Sequence, residues 1–334
     1  MFSSVYFKNY AGLPDLHWKN LSNVNIVIGE NGTGKSTLLK ALYSAVRTIE
    51  DNNRGNNNMS LSEILSQKLY WTFQIDKIGD IVKKTANGLL KFSSVFNEKK
   101  FQYSFEKDTT KQFQNIENAI DKREDNSVFI PAKEIISLHN IILKSRENDY
   151  VFGFDDTYYD LAKALRQSRT RGKNYTEFST AREKLANFLH GHIEYDTDNN
   201  KWFFKSGSQK FAIGLTAEGV KKISILDILL GNRFINKNSI IFLDEPESAL
   251  HPKAVSNFME IISLLAKSGM QFFMATHSYF VIKKLFLIAQ NEKISVPYID
   301  LSQNNFTTSD LLYEMPENEI INESIRLYEE EVNL

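Results

Sequence analysis

The chain of 334 residues contains no cysteine. That excludes a disulfide framework, thiolate zinc sites and a cysteine nucleophile, and it fits a reducing compartment. Charge of one sign is lacking too. Lys and Arg number 40 against 41 Asp and Glu, for a formal net charge of −1. No global basic field announces nucleic acid, so any such surface has to be local. Long apolar runs are missing as well. The richest, 223–230, is interrupted by Asp227 and falls short of the ~20 residues needed to cross a bilayer. The first residues, MFSSVYFKNYAG, lack the basic start and apolar stretch of a secretory leader. No repeat appears at solenoid periods. What is present is a hydrophobic content of 42%, ample for one large core or two coupled lobes. The expectation is a soluble, cytoplasmic protein without a membrane partner.

Patterning divides the chain. Val5 and Phe7, then Leu16 and Trp18 after a Gly12-Leu13-Pro14 turn, alternate with polar residues, so 2–28 reads as strands. The run 24–28 is β-branched and ends at Gly29, as a buried strand would. Leu38, Leu42, Ala45 and Ile49 then recur at helical spacing. An Asn-rich loop covers 51–60. Alternation suggests strands at 69–75 and 101–105, and another at 128–131. Residues 135–190 read as mostly helical, with Asp155 as an N-cap, and 192–212 as strands. Helices are expected at 217–230, 254–267 and 279–290, alternating with strands at 239–243, 271–276 and 296–301. An acidic amphipathic helix follows at 317–332. Strand–helix alternation at both ends predicts an α/β core with the long middle inserted into it.

Gly29, Glu30, Asn31, Gly32, Thr33, Gly34, Lys35 and Ser36 match G-x-x-x-x-G-K-[ST], with a strand before and a helix after. Glycines let backbone N–H groups curl inward around an anion, and the helix adds its positive end. Lys35 would reach the β- and γ-phosphates, Ser36 would ligate Mg²⁺, and Thr37 would touch the α-phosphate side. A chance glycine-rich turn is the bland alternative, and the flanking strand and helix leave it little room. Downstream, the apolar run 239–243 delivers Asp244 and Glu245 at its end, where open α/β sheets bind ligands. Asp244 suits the metal. Glu245 suits the base that activates the attacking water.

The segment Asp244-Glu-Pro-Glu-Ser-Ala-Leu-His-Pro252 resembles the Walker B and D-loop stretch of ABC-type ATPases of the SMC, RecF and OLD group. It is similar above all to the compact bacterial AAA-family ATPases of anti-phage systems such as Septu and PARIS. His277, at the end of an apolar strand, resembles that group's switch histidine, which contacts the γ-phosphate. Ala217, Glu218 and Gly219, with Lys221, resemble its S-x-G-x-K/R signature, except that Ala217 replaces the serine; Thr216 offers a hydroxyl one position earlier. The segment 128–134 resembles the Q-loop region without a glutamine, leaving Lys133 or Glu134 near the metal. The resemblance implies an ABC-type P-loop ATPase head with an antiparallel β subdomain and an inserted helical lobe: 1–134, 135–214 and 215–334 as N-terminal lobe, insertion and C-terminal lobe. It implies ATP and Mg²⁺ as ligands. It also implies a homodimer, or higher oligomer, that sandwiches ATP, with signature residues facing the partner's nucleotide.

Lys163, Arg166, Arg169, Arg171 and Lys173 form a basic stretch that could hold DNA phosphates or simply be a solvated helix end. His190 and His192 have too few companions for a metal site, and Asp196 and Asp198 read as a turn. The function expected is Mg²⁺-dependent ATP hydrolysis by the sensor subunit of a defence system, with a separate nuclease or toxin as effector. The rivals are a RecF-like DNA maintenance ATPase and an ATP-bound scaffold with negligible turnover.

Overall fold

The first fully buried run of the chain becomes the middle of a sheet. The computed structural model describes all residues except 56–57, 114, 169–177 and 303–304. Strands β1 (Phe2–Lys8) and β2 (Leu16–Lys19) lead to β3 (Val24–Gly29), followed by helix α1 (Lys35–Asp51). After α2 (Leu61–Phe73) come β4 (Leu90–Phe96), β5 (Lys99–Phe105), β6 (Ile116–Asn118) and β7 (Val128–Ile130). The middle holds α3 (His139–Glu147), α4 (Asp156–Leu165) and α5 (Ser179–Leu189), then β8 (His192–Asp196), β9 (Lys201–Ser206) and β10 (Gln209–Ala212). The last third runs α6 (Glu218–Gly231), β11 (Ile240–Asp244), α7 (Pro252–Lys267), β12 (Gln271–Thr276), α8 (Tyr279–Glu292), β13 (Pro297–Ser302), β14 (Asn305–Asp310) and α9 (Glu319–Val332).

The central sheet has the order β14-β13-β3-β12-β11-β7. Its pairings are parallel, apart from the antiparallel edge hairpin β13–β14. Every residue of β3 and β12 is buried, which is why both read as continuous rather than alternating apolar runs. An antiparallel sheet, β2-β1-β4-β5-β6, alternates instead. Its inner residues, among them Val5, Phe7, Phe92 and Phe101, share a core with Leu38, Leu42 and Val46 of α1. The inserted helices α3–α5 pack with α6, α7 and Trp202 of the small β10-β9-β8 sheet in the other core. This is the α/β architecture expected, antiparallel subdomain and helical insertion included. Among the described residues no helix is long and apolar enough to cross a membrane.

Two local expectations need correction. Residues 69–75 are not a strand: 61–73 is helix, with Ile64, Leu65, Leu69 and Thr72 on its buried face. The Ser60 side chain accepts from the Glu63 N–H, while the Glu63 carboxylate accepts from Ser60 N–H at 2.7 Å. This reciprocal cap starts a helix, and the brief alternation seen in the sequence is part of its 3.6-residue period. Second, the polar strand β14 follows β13 where no strand was read. It is an edge strand, paired on one side only, so it needs no apolar run. Asp155 does cap α4, accepting from Thr157 N–H at 2.8 Å.

The insertion is tied to α1 by charge. Lys40 meets Asp155 at 2.6 Å, and Asp160 takes Lys68 at 2.7 Å and the Tyr43 hydroxyl at 2.8 Å. Burial alone would push the Asp160 carboxyl up; Lys68 and Arg47 outweigh it and hold it down at about 2.

Gln271 joins the two sheets. Its Oε1 accepts from Phe2 N–H at 2.9 Å, and its Nε2 donates to Phe2 and Ser22 carbonyls at 2.8 and 2.9 Å. Gln271→Leu keeps the size but leaves these buried backbone groups unpaired. It is expected to lower unfolding free energy by about 2–4 kcal/mol, read from denaturant titration. A change near zero would show that the first strand is not held this way.

Candidate functional site

Three neighbouring parallel strands, β3, β12 and β11, end side by side, and each delivers polar residues at its carboxyl end. From β3 the chain enters the loop 29–34 and then α1. Gly34, the residue before α1, has a φ of +96°, and a Cβ there would meet Leu13 Cδ2 at 2.7 Å. Only glycine fits both the left-handed backbone and that contact. Lys35 is buried and donates to the Gly29 and Glu30 carbonyls at 2.7 Å each, while Thr33 Oγ1 donates to Glu30 O at 2.9 Å. Burial lowers the Lys35 ammonium from its ordinary value, with Glu245, Asp244, Glu247 and Asp300 pulling it back up.

Ser36 Oγ donates to Asp244 Oδ1 at 3.1 Å, so the first turn of α1 and the end of β11 meet at one point. Burial pushes the Asp244 carboxyl up, which disfavours the bare carboxylate and favours any arrangement that brings a cation to it. A hydroxyl and a carboxylate are hard oxygen donors, the set Mg²⁺ takes beside phosphate oxygens and water. Among the described residues no group of three or more His, Asp and Glu forms a self-sufficient metal cage. Two hard oxygen donors side by side fit a cation shared with a phosphate.

Glu245 follows in left-handed backbone (φ +46°), with its N–H on Ala275 O at 2.9 Å. That turn leaves its side chain partly exposed, 3.5 Å from His277 Nδ1. Glu247 braces the same corner: its Oε1 accepts from Thr276 Oγ1 at 2.7 Å and from His277 N–H at 3.3 Å. Its Oε2 is buried and has no hydrogen-bond partner among the described residues. Asp244, Glu245, His277, Lys35 and Ser36 thus come together. Thr37 is half-buried on the first turn of α1, and Asn31 and Gly32 are exposed at the tip of the loop.

At the start of α6, Ala217 and Glu218 are exposed and the helix has no side-chain cap. Thr216 does not offer its hydroxyl at the helix start: its Oγ1 is buried and has no hydrogen-bond partner among the described residues. A Cβ on Gly219 would lie 2.7 Å from Ala249 O and 2.8 Å from Leu250 Cδ2. The glycine lets the helix start press on the loop after Glu245. Glu134 pairs with Lys221 at 3.4 Å and caps Ser137 N–H at 2.7 Å, while Lys133 is exposed. Lys163 and Arg166 are exposed at the end of α4; Arg169, Arg171 and Lys173 lie outside the described residues. His190 ends α5, and Asp196 accepts the Asp198 N–H in a turn at 3.1 Å.

Sequence reading missed Lys222. It is buried in the second turn of α6 and donates to the carbonyls of Glu245 and, at 3.1 Å, Ala132. It therefore clamps the ends of β11 and β7. Its sequence signal is weak, one charge among the four of a helix that also carries Glu218, Lys221 and Asp227.

The fold is that of an SMC-type ATPase head. A crystal structure of the SmcHead bound to the C-winged helix domain of ScpA aligns with a TM-score of 0.55 at 11% identity, over 92% of this chain and 97% of that one. The SMC head domain from Thermotoga maritima aligns at 0.48 and 12% identity over 92% and 98% of the two chains. An Smc head with an extended coiled coil, bound to the C-terminal domain of ScpA derived from Pyrococcus furiosus, aligns at 0.49 and 10% over 98% and 98%. The fold assignment rests on the first. The family model described as "AAA domain, putative AbiEii toxin, Type IV TA system" matches residues 24–283, well over half the sequence, and the chain belongs to that family.

Burial lowers the Lys222 ammonium to about 8. Between about 8 and its ordinary value of 10.5, the unfolded lysine keeps a proton that the folded one has lost. Stability then rises with pH in that window, by at most ~1.4 kcal/mol per unit. The difference in unfolding free energy between wild type and Lys222→Met is expected to shift in favour of wild type across it. Denaturant titrations at stepped pH measure this; a constant difference would show that the lysine does not titrate there.

Proposed function

We propose that the protein is a Mg²⁺-dependent ATPase that hydrolyses ATP to ADP and phosphate. The observation that carries this is the convergence of Lys35, Ser36, Asp244, Glu245 and His277 at the carboxyl ends of three adjacent parallel strands. In this reading residues 29–37 cradle the phosphates, and Lys35 exchanges the Gly29 and Glu30 carbonyls for β- and γ-phosphate oxygens. Ser36 and Asp244 would hold Mg²⁺, which neutralises developing charge on the phosphates when bound. Glu245 accepts a proton from the water that attacks the γ-phosphorus as the bond to the β,γ-bridging oxygen breaks. His277, 3.5 Å from Glu245, donates toward the γ-phosphate. Residues 1–134 and 215–334 then act as the two lobes of one head, with 135–214 inserted between them.

Glu245→Gln keeps the shape but removes the base, and is expected to slow hydrolysis by ~10²–10⁴-fold while ATP still binds. Lys35→Ala should instead remove most ATP affinity. Calorimetry and phosphate release separate the two. Normal turnover in Glu245→Gln would require another base.

We also propose that two heads enclose ATP, with Ala217–Gly219 of one facing the nucleotide of the other. An uncapped, exposed helix start carries free N–H groups and a positive dipole end suited to the γ-phosphate, and Leu215 beside it is 81% exposed. Because side chains at Gly219 collide with Ala249, the exposed Ala217 is the position to test. Ala217→Asp and Lys35→Ala should each be inactive alone, yet regain part of the activity when mixed, since a mixed pair contains one intact composite site. No recovery, with subunit exchange verified by light scattering of tagged species, would mean that the site is complete within one chain or that both sites must fire together.

The family's description as a putative toxin of a type IV TA system supports a conflict-system role. We read the chain as the ATPase sensor subunit of a bacterial anti-phage system that works with a separate effector. Loss of phage protection in cells carrying Glu245→Gln beside the intact neighbouring genes tests it. A RecF-like role predicts instead that duplex DNA stimulates hydrolysis.

A further inference from the structure

We propose that the outward face of the antiparallel sheet is a groove for single-stranded nucleic acid. The strand register builds it. Across the middle of that face, Tyr6 lies opposite His17 and Ser93, Ser93 opposite Gln102, and Gln102 opposite Glu117. This row forms a floor of hydrogen-bonding side chains and two rings, with Tyr6 and His17 edge to face at 5.9 Å. Two residues along the strands in one direction, Lys8 stands opposite Lys91. Two residues in the other direction, Ser4 stands opposite Lys19, and Val95 opposite Lys100. At ~3.4 Å per residue, the two lysine rows lie ~14 Å apart. Between them is a cavity of about 580 Å³.

The charges are uncompensated. Lys40, Lys68, Lys99 and Lys184 each close on an acid elsewhere in the molecule. Lys8, Lys19, Lys91 and Lys100 are exposed and make no ion pair among the described residues. Like charges directly opposite each other destabilise a sheet, and Lys8 and Lys91 are such a pair. Glu117, at the far end of the floor, accepts from the Gln102 amide and keeps its charge, so one acid faces four lysines. A chain carrying phosphates on its flanks resolves the repulsion.

The floor selects the single-stranded form. Unpaired bases can stack on Tyr6 and His17 and offer their edges to Ser93 and Gln102. A duplex keeps its bases stacked inside and would meet only the lysine rims. The inner face of the same sheet packs on α1, which begins at Lys35, so the groove and the ATP site lie on opposite sides of these strands.

The test is fluorescence anisotropy of a labelled oligothymidine, with salt titration, on the full chain. Lys91→Glu combined with Lys100→Glu should weaken binding ~10-fold and lower the salt slope by ~1.4, for two lost phosphate contacts. Tyr6→Ala should weaken it ~10-fold with the slope unchanged. Both variants should keep wild-type thermal unfolding and unstimulated ATP hydrolysis. Duplex bound as tightly as the single strand, inorganic polyphosphate competing equally well, no oligonucleotide binding, or a loss seen only in Lys163→Glu/Arg166→Glu would each overturn the proposal.

Discussion

The register between β3, β12 and β11 is the constraint on which the site depends. Each strand contributes one part of it, and a slip by a single residue would carry Asp244 or His277 away from the loop. Apolar strands buried on both faces specify register poorly, because every offset buries similar side chains. Polar groups supply the missing specification. Asn25, fully buried in β3, donates to Phe272 O at 3.0 Å and accepts from Ser22 N–H at 2.8 Å. Gln271, at the start of β12, holds the first strand in the same way. At the other end, Ser127 Oγ donates to the buried Glu50 at 2.6 Å and fixes the entry to β7. Misplacing any of these strands would leave an unpaired buried amide or carboxylate, at about 1–3 kcal/mol or more each. That gap separates the correct offset from its neighbours.

The insertion is placed by a different physics. Lys40 and Arg47 of α1 and Lys68 of α2 hold Asp155, Asp156 and Asp160 around the first turns of α4. Buried ion pairs add little net stability relative to apolar packing, but removing one partner strands a charge at about 3–5 kcal/mol. Such a cluster admits one arrangement of helices. Lys40 is a second neighbour of the loop and also acts electrostatically on Asp244, so the position of α4 and the electrostatics of the site are linked through one side chain.

Much of this was legible in the sequence because it is local. The strand–glycine loop–helix unit, the apolar strand ending in two acids, and Asp155 as a cap are all set by residues a few positions apart. The misreading of 69–75 came from weighing a short alternation above the Ser60–Glu63 cap, although both were visible. Edge strand β14 left no apolar trace because one of its sides faces solvent. Lys222, and the packing role of Gly219, were illegible in a stronger sense. The role of Lys222 is defined by carbonyls 23 and 90 residues away, and that of Gly219 by the approach of Ala249. The lysine-flanked sheet face was equally hidden, since its residues come from five strands and acquire meaning only from register.

The contact between Gly219 and the Ala249–Leu250 backbone has a mechanical consequence. Side-chain atoms separate most packed elements and can deform before force passes on. Here the Gly219 backbone faces the Ala249 carbonyl directly, with the Leu250 side chain beside it, so the joint has little slack. The loop begins at Glu245, whose carbonyl is held by Lys222 of the same helix. A push on the tip of α6 therefore reaches the carboxylate within a single turn of helix, and a pull on the carboxylate returns along the same path. Such a stiff coupling makes the helix tip a gauge of what occupies the site.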